Sequence, residues 1–460
     1  MKTLKRIVAA NTLAFVAVLS AFVALPLSTA SRVAAQQTGS VSVQTMNGAP
    51  GTYVIRNARI ITVSGPDIEN GTLVLRNGKI EAVGASVNVP AGAQEIDARG
   101  LFVYPGMIDA ETNMGLNEIS SVSATLDISE LGDMNPNVQA LVAVNPHSAH
   151  VDVTRVAGVT STVTMPQGGV ISGQAAFINL NGTTPREMAV VPSVALVIDF
   201  PRVGGGGGFA AFLAQQQGIS QEAVTARDRR VEELRKMLRD AEAYGRAQDA
   251  YTRDPKSVPR PETNLLFAAL VPFVRGERPV MFRADRERDI RAAVRFADEM
   301  KLKAIIVGGS DAWKAASLLK EKNIAVIFDG VLNLPQREDE PYDVQYESAA
   351  KLQQAGVRFA ISTGDQGAHV RDLPFHAGMS AAFGLPRAEA LKAVTLYPAQ
   401  IMGVGDRLGS IEPGKIANVV ITDGDLLEAR TNVRYLFIDG RQIPLVSRHT
   451  QLYDQFKDRK

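Results

Sequence analysis

The chain has 460 residues, 45% of them hydrophobic and 21% charged, with a formal net charge of +1 and no cysteine. This composition suits one large domain plus a smaller one, held by core burial and not by disulfides or thiolate–metal bonds. A charge balance so close to neutral offers no basic surface for nucleic acid or for an anionic membrane.

The first 35 residues have the pattern of a secretory signal. Lys2, Lys5 and Arg6 precede an apolar run over 7–27, and small residues offer cleavage after Ala30 or Ala35. The expected product is exported, periplasmic or secreted, without membrane contact once the signal is cleaved. The apolar run is also long enough to span a bilayer, so an uncleaved anchor is the alternative. Cleavage removes Lys2, Lys5, Arg6 and Arg32 and no acid, leaving 45 basic against 48 acidic residues, a net of about −3. Residues 36–50 read as a flexible lead-in.

From Tyr53, short β-rich runs alternate with turn signals over 53–63, 72–75, 79–83, 94–96 and 101–104. Asn77-Gly78 marks a hairpin, because Asn and Gly tolerate the positive φ of its turn. The far end has the same texture, with runs over 416–423 and 433–438 and a turn at Asp439-Gly440. Two β-rich ends around a different middle predict one β domain built from both termini.

The middle alternates apolar strand-like runs (158–165, 194–200, 279–282, 304–307, 324–328 and 357–362) with helical segments such as 289–300 and 311–321. Such alternation argues for βα units in a parallel sheet or barrel. The charge-dense segment 220–250 reads as a solvated surface helix, and the five glycines 204–208 as a mobile loop.

Three stretches carry a family resemblance: GLFVYPGMIDA at 100–110, ALKAVTLYPAQIMGVG at 390–405 and LGSIEPGKIANVVITDGDLLE at 408–428. On these the chain resembles the amidohydrolase superfamily, near imidazolonepropionase-like and dihydroorotase-like members, over residues 50–445. The resemblance implies an α/β fold: a metal-hydrolase-type β/α barrel over 105–404. A small β-sandwich is formed from 51–104 and 405–445, with a tail over 446–460.

The resemblance also implies where chemistry sits, at the C-terminal ends of barrel strands. The family's His-x-His pair on the first strand falls on Glu111 and Asn113. Its histidine on the fifth strand falls on Arg283, with Asp285 two residues on. Its histidine on the sixth falls on Gly308 or Gly309, and its aspartate on the eighth falls on Asp365. No lysine lies within 188–200, where the fourth strand is expected. Amide and guanidinium groups are poor substitutes for imidazole at zinc, so no metal is expected. Glu111, Asn113 and Asp365 remain as oxygen donors for a single divalent ion. The sharper expectation is that the Arg283 guanidinium replaces the metal charge between Glu111 and Asp365.

Of the five histidines, His369 follows Asp365 by four residues and is the candidate general base. A plain loop histidine is the competing reading. His147 and His150 have a spacing that can share a metal, but capping or surface roles need no third donor. His376 is expected to open a helix and pack, and His449 to lie in the tail. Asp109 is expected to shape the strand end. Ser310 and Ser362 sit near strand ends without a G-x-S-x-G elbow, and Ser172 reads as part of a turn.

Two functions follow. The first is an exported hydrolase of C–N bonds in small cyclic or peptide-like amides, with Asp365, Glu111 and His369 as catalytic candidates and Arg283, Asn113 and Asp285 as binding or charge-replacing groups. The second is an inactive amidohydrolase-fold protein that binds a ligand or an active homologue. Homo- or hetero-oligomers with a related amidohydrolase fit either.

Overall fold

The computed structural model describes residues 47–203, 221–364 and 366–459. The expected signal, most of the lead-in, the five-glycine run and Asp365 lie outside the described residues.

The two chain ends build one sheet. Its strands are β1 (Tyr53–Ile60), β2 (Ile68–Arg76), β3 (Lys79–Gly84), β4 (Gln94–Asp97), β5 (Phe102–Pro105), and then β14 (Val419–Thr422), β15 (Val433–Ile438) and β16 (Arg441–Gln442). Their order is β16-β15-β14-β5-β1-β2-β3, with β4 on β1. Alternate residues, among them Tyr53, Ile55, Leu73, Leu75, Val103, Val419 and Phe437, form a core of their own. Both turns read from the sequence have the required backbone, with φ of 52° and 77° at Asn77-Gly78 and 54° and 68° at Asp439-Gly440.

The second sheet is a nearly closed barrel of eight strands in chain order. They are β6 (Met107–Thr112), β7 (Val159–Thr164), β8 (Ile171–Asn179), β9 (Ala189–Asp199), β10 (Val280–Ala284), β11 (Ala304–Gly308), β12 (Ala325–Phe328) and β13 (Phe359–Ile361). Helices Glu287–Glu299, Ala316–Glu321 and Val344–Ala355 alternate with the last strands. Inward residues such as Ala110, Val163, Phe177, Val197, Met281, Val307, Ile327 and Ala360 fill the barrel. Those of opposite parity, such as Phe282, Phe328 and Phe359, face the helices.

One strand departs from the expected pattern. β8 runs antiparallel to both β7 and β9, so Ser172 lies in a strand and not in a turn. Antiparallel neighbours need only short connections, and only the four-residue helix Pro185–Met188 lies between these three strands. The turn-like pair Ser172-Gly173 misleads for a steric reason. Gly173 has φ 137°, and a Cβ there would lie 2.9 Å from the Val138 carbonyl oxygen.

The charge-dense helix, Gln221–Arg253, is solvated on most of its surface but buries Val231, Leu234, Leu238, Ala241 and Gly245 along one stripe. The tail forms a helix, Arg448–Phe456, capped by Ser447.

Pro105-Gly106 carries the chain from one sheet to the other. β5 pairs with β14, while Gly106 N–H bonds the Asn418 carbonyl at 2.9 Å. A Cβ on Gly106 would fall 2.2 Å from Thr160 Oγ1 and 2.3 Å from its Cγ2. Gly106→Ala is therefore expected to destabilise the fold by about 2 kcal/mol or more through overpacking. Gly65→Ala, whose nearest atom is 3.7 Å away, should melt like the parent. Thermal denaturation checks both, and a Thr160→Ala background should restore part of the loss in Gly106→Ala.

Candidate active site

The barrel is sealed by side chains where its ladder stops. β6 and β13 end the hydrogen-bonded path. Asp109, wholly buried on β6, accepts from the hydroxyls of Ser362 and Thr363 beyond β13, the latter at 2.6 Å, and from Thr363 N–H at 3.3 Å. The Ser362 hydroxyl also reaches the Glu111 carbonyl at 2.9 Å. Asp109 also accepts the Glu111 N–H at 3.2 Å. The β6–β7 register shifts between Asp109 and Thr112.

This local bend presents Glu111, which is 2% exposed. Arg283, on β10, brings its Nε to 3.8 Å from Glu111 Oε1. Asn113 is committed differently: its Oδ1 accepts the Gly367 N–H at 2.7 Å and so docks the loop after β13. That loop carries His369, which is exposed. Asp365 belongs to the same segment but is outside the described residues.

Asp285 occupies the space that a side chain on β11 would need. Gly308 has φ 91°, and a Cβ there would stand 2.5 Å from Asp285 Oδ1. A Cβ on Gly309 would stand 2.9 Å from Val326. Burial pushes the Asp285 carboxyl upward, opposed by the charge of Arg202 and by hydrogen bonds from Ser310, and aided by Asp199.

Two acids at this mouth escaped the sequence reading. Asp199 ends β9 in register with Arg283. Asp329 follows β12, its Oδ2 3.2 Å from where a Cβ on Gly364 would be. Both terminate strand-like runs, which was the available signal, but neither falls on a position the resemblance marks.

The other histidines stand apart from Glu111. His150 Nε2 lies 3.1 Å from the Glu118 carbonyl, in a helix, Ala149–Arg155, capped by Ser148. The His147 N–H bonds Asn145 Oδ1 at 3.0 Å. His376 is buried in helix Leu373–Ala382, where burial, with a smaller push from His369, lowers its pKa to about 4 and keeps it neutral. His449 is exposed. Among the described residues, no three of His, Asp or Glu converge to hold a metal ion. With Glu111 facing a guanidinium and Asn113 holding a loop, the described donors do not fit an imidazole–carboxylate zinc centre.

The amidohydrolase family profile matches residues 288–443. An imidazolonepropionase of Mesorhizobium japonicum is 25% identical over 407 residues, covering 82% of this chain and 93% of the relative. One of Legionella pneumophila is 23% identical over 408 residues, covering 80% and 91%. The crystal structure of an amidohydrolase from Thermotoga maritima superposes with a TM-score of 0.75 at 26% identity, covering 85% of this chain and 99% of that one. Together these matches support an amidohydrolase superfamily member. The expected barrel and second sheet domain are those of an amidohydrolase-family hydrolase, and the strand ends bearing Glu111, Asp199, Arg283 and Asp329 are where this architecture carries chemistry.

Burial pushes the Asp109 carboxyl up to about 6 from an ordinary 3.8, against the hydrogen bonds from Ser362 and Thr363. A carboxyl with a raised folded-state pKa adds stability that is complete below its unfolded pKa and is lost as pH rises through the folded one. The stability of the parent relative to Asp109→Asn should therefore fall from pH 4 to pH 7, by up to about 3 kcal/mol for a shift of this size. Urea denaturation of both proteins across that range measures it; a flat difference would show that Asp109 titrates normally.

Proposed function

We propose that this amidohydrolase is exported and hydrolyses C–N bonds in small cyclic or peptide-like amides, at a mouth where a carboxylate and a guanidinium take the places of imidazole ligands. The observation that carries the reading is Arg283 Nε at 3.8 Å from Glu111 Oε1 in a largely buried setting. The family positions supply the reaction class, and the pattern of residues 1–35 supplies export.

In this reading Arg283 carries the positive charge of the site. A guanidinium offers several N–H donors on one rigid plane, suited to a carbonyl oxygen as it becomes an oxyanion. Glu111 accepts a proton from the attacking water. The water oxygen bonds to the carbonyl carbon, the C–N bond breaks, and the departing nitrogen takes the proton. Asp365, by its family position, serves as a second acceptor. Asp285 and Asp199 favour a substrate that brings N–H groups to the mouth.

The exposure of His369 favours a second reading, in which the barrel binds a ligand or a related active amidohydrolase without turnover. A histidine held outside the buried mouth is poorly placed to act as base.

One experiment separates the two. Protein recovered outside the cytoplasm, with its N-terminus at Ser31 or Gln36, is assayed against hydantoins, dihydropyrimidines, N-acyl amino acids and dipeptides. The hydrolase reading expects turnover of at least one class, reduced about 100-fold or more in Glu111→Gln and in Arg283→Gln while both variants keep the parent circular dichroism. Silence across the panel, or full activity in both variants, contradicts it.

A further inference from the structure

The opposite end of the barrel holds a cavity of about 720 Å³, formed where β9 to β13 begin. Its size falls within the range of small-molecule sites. Leu302, Ile305, Ile324 and Met402 contribute apolar lining. Around them stand five cations, Arg278, Lys303, Lys322, Arg358 and Arg407, against two acids, Glu277 and Asp298.

Cations outnumber acids along this lining, and few of them are neutralised. Several cations elsewhere are neutralised by carboxylates, as in Arg56–Glu95, Arg235–Glu299, Arg337–Asp311 and Arg387–Asp425. Of the cations lining the cavity, Lys322 alone is so neutralised among the described residues, 2.9 Å from Asp298, while Glu277 faces Arg275 at 3.9 Å. Arg278 donates to Ser193 Oγ at 3.0 Å, Arg358 to the Asn323 carbonyl at 2.8 Å, and Arg407 to the Val190 carbonyl at 3.3 Å. Lys303 makes no ion pair among the described residues.

Neutral oxygens thus orient three guanidinium groups without neutralising them, and each has five N–H donors in all. Like charges gathered over a concave, apolar-walled surface focus a positive potential and repel one another. A bound anion relieves that repulsion and takes up the unused donors through charge-assisted hydrogen bonds.

We propose that this cavity is a binding site for a small organic molecule carrying two or more oxyanionic charges, separate from the catalytic mouth. The apolar lining accommodates the carbon skeleton, and Arg278, Lys303, Arg358 and Arg407 hold the charged groups. Its place at the strand starts makes occupancy independent of Glu111 and Arg283, so the site binds whether or not the mouth is active.

Calorimetric titration of the full chain with pyrophosphate and with citrate tests the proposal, with chloride at matched ionic strength as reference. Saturable one-to-one binding of at least one of the two is expected, together with a rise in melting temperature that chloride does not reproduce. Pyrophosphate alone assigns phosphate chemistry, and citrate alone assigns carboxylate chemistry. Arg358→Gln and Lys303→Gln, both at exposed positions, should each weaken binding about tenfold. Arg358→Lys should recover part of it, and Arg283→Gln should leave it unchanged. No saturable binding, binding in Arg358→Gln and Lys303→Gln as tight as in the parent, or binding lost in Arg283→Gln overturns the proposal.

Discussion

The Asp109 carboxylate joins two strands that share no ladder. Without it, β6 and β13 would face each other across an open seam, with the Ser362 and Thr363 hydroxyls and the Thr363 amide buried beside them. Buried donors without acceptors cost far more than the bonds themselves contribute. The same carboxylate accepts the Glu111 N–H where the β6–β7 register shifts, so one side chain ties the seam to the strand that carries the site. Its raised pKa is the consequence of doing this in a place that water does not reach.

The mouth above that seam is built from interlocked polar side chains. Glu111 lies against Arg283, and Asn113 spends its carbonyl on the loop that follows β13. Asp285 fills the volume that a side chain at Gly308 would require, so the glycine and the aspartate form one steric unit. A histidine could not be restored at 308 without moving Asp285. The positions resembling metal ligands are therefore interlocked in a different arrangement, and reversing one alone does not rebuild the other.

Much of the fold was legible in the sequence because its signals are local. Asn77-Gly78 and Asp439-Gly440 specify their turns by backbone conformation, and the alternating runs from 279 to 362 follow from burial on two faces of a parallel sheet. β8 was not legible. A buried run containing Ser172 and Gly173 looks like a turn unless one knows that the Val138 backbone passes against it. The site was half legible: the approach of Arg283 to Glu111 follows from strand parity and family position. Asp199 and Asp329 required knowledge of which strands lie side by side. The docking of Asn113 on Gly367 depends on a contact between residues 254 positions apart, which no local pattern encodes. The basic cavity is of the same kind, since its cations come from several strand starts and, for Arg407, from the segment after helix Leu396–Ile401.

The central claim is that a guanidinium–carboxylate pair, and not a metal, supplies the charge at the barrel mouth. Elemental analysis of the purified full-length protein, expressed with added zinc and manganese, tests it most directly. The account predicts well under one transition-metal ion per chain, with content unchanged in Glu111→Gln. One or two ions bound per chain, and lost in Glu111→Gln, would contradict it.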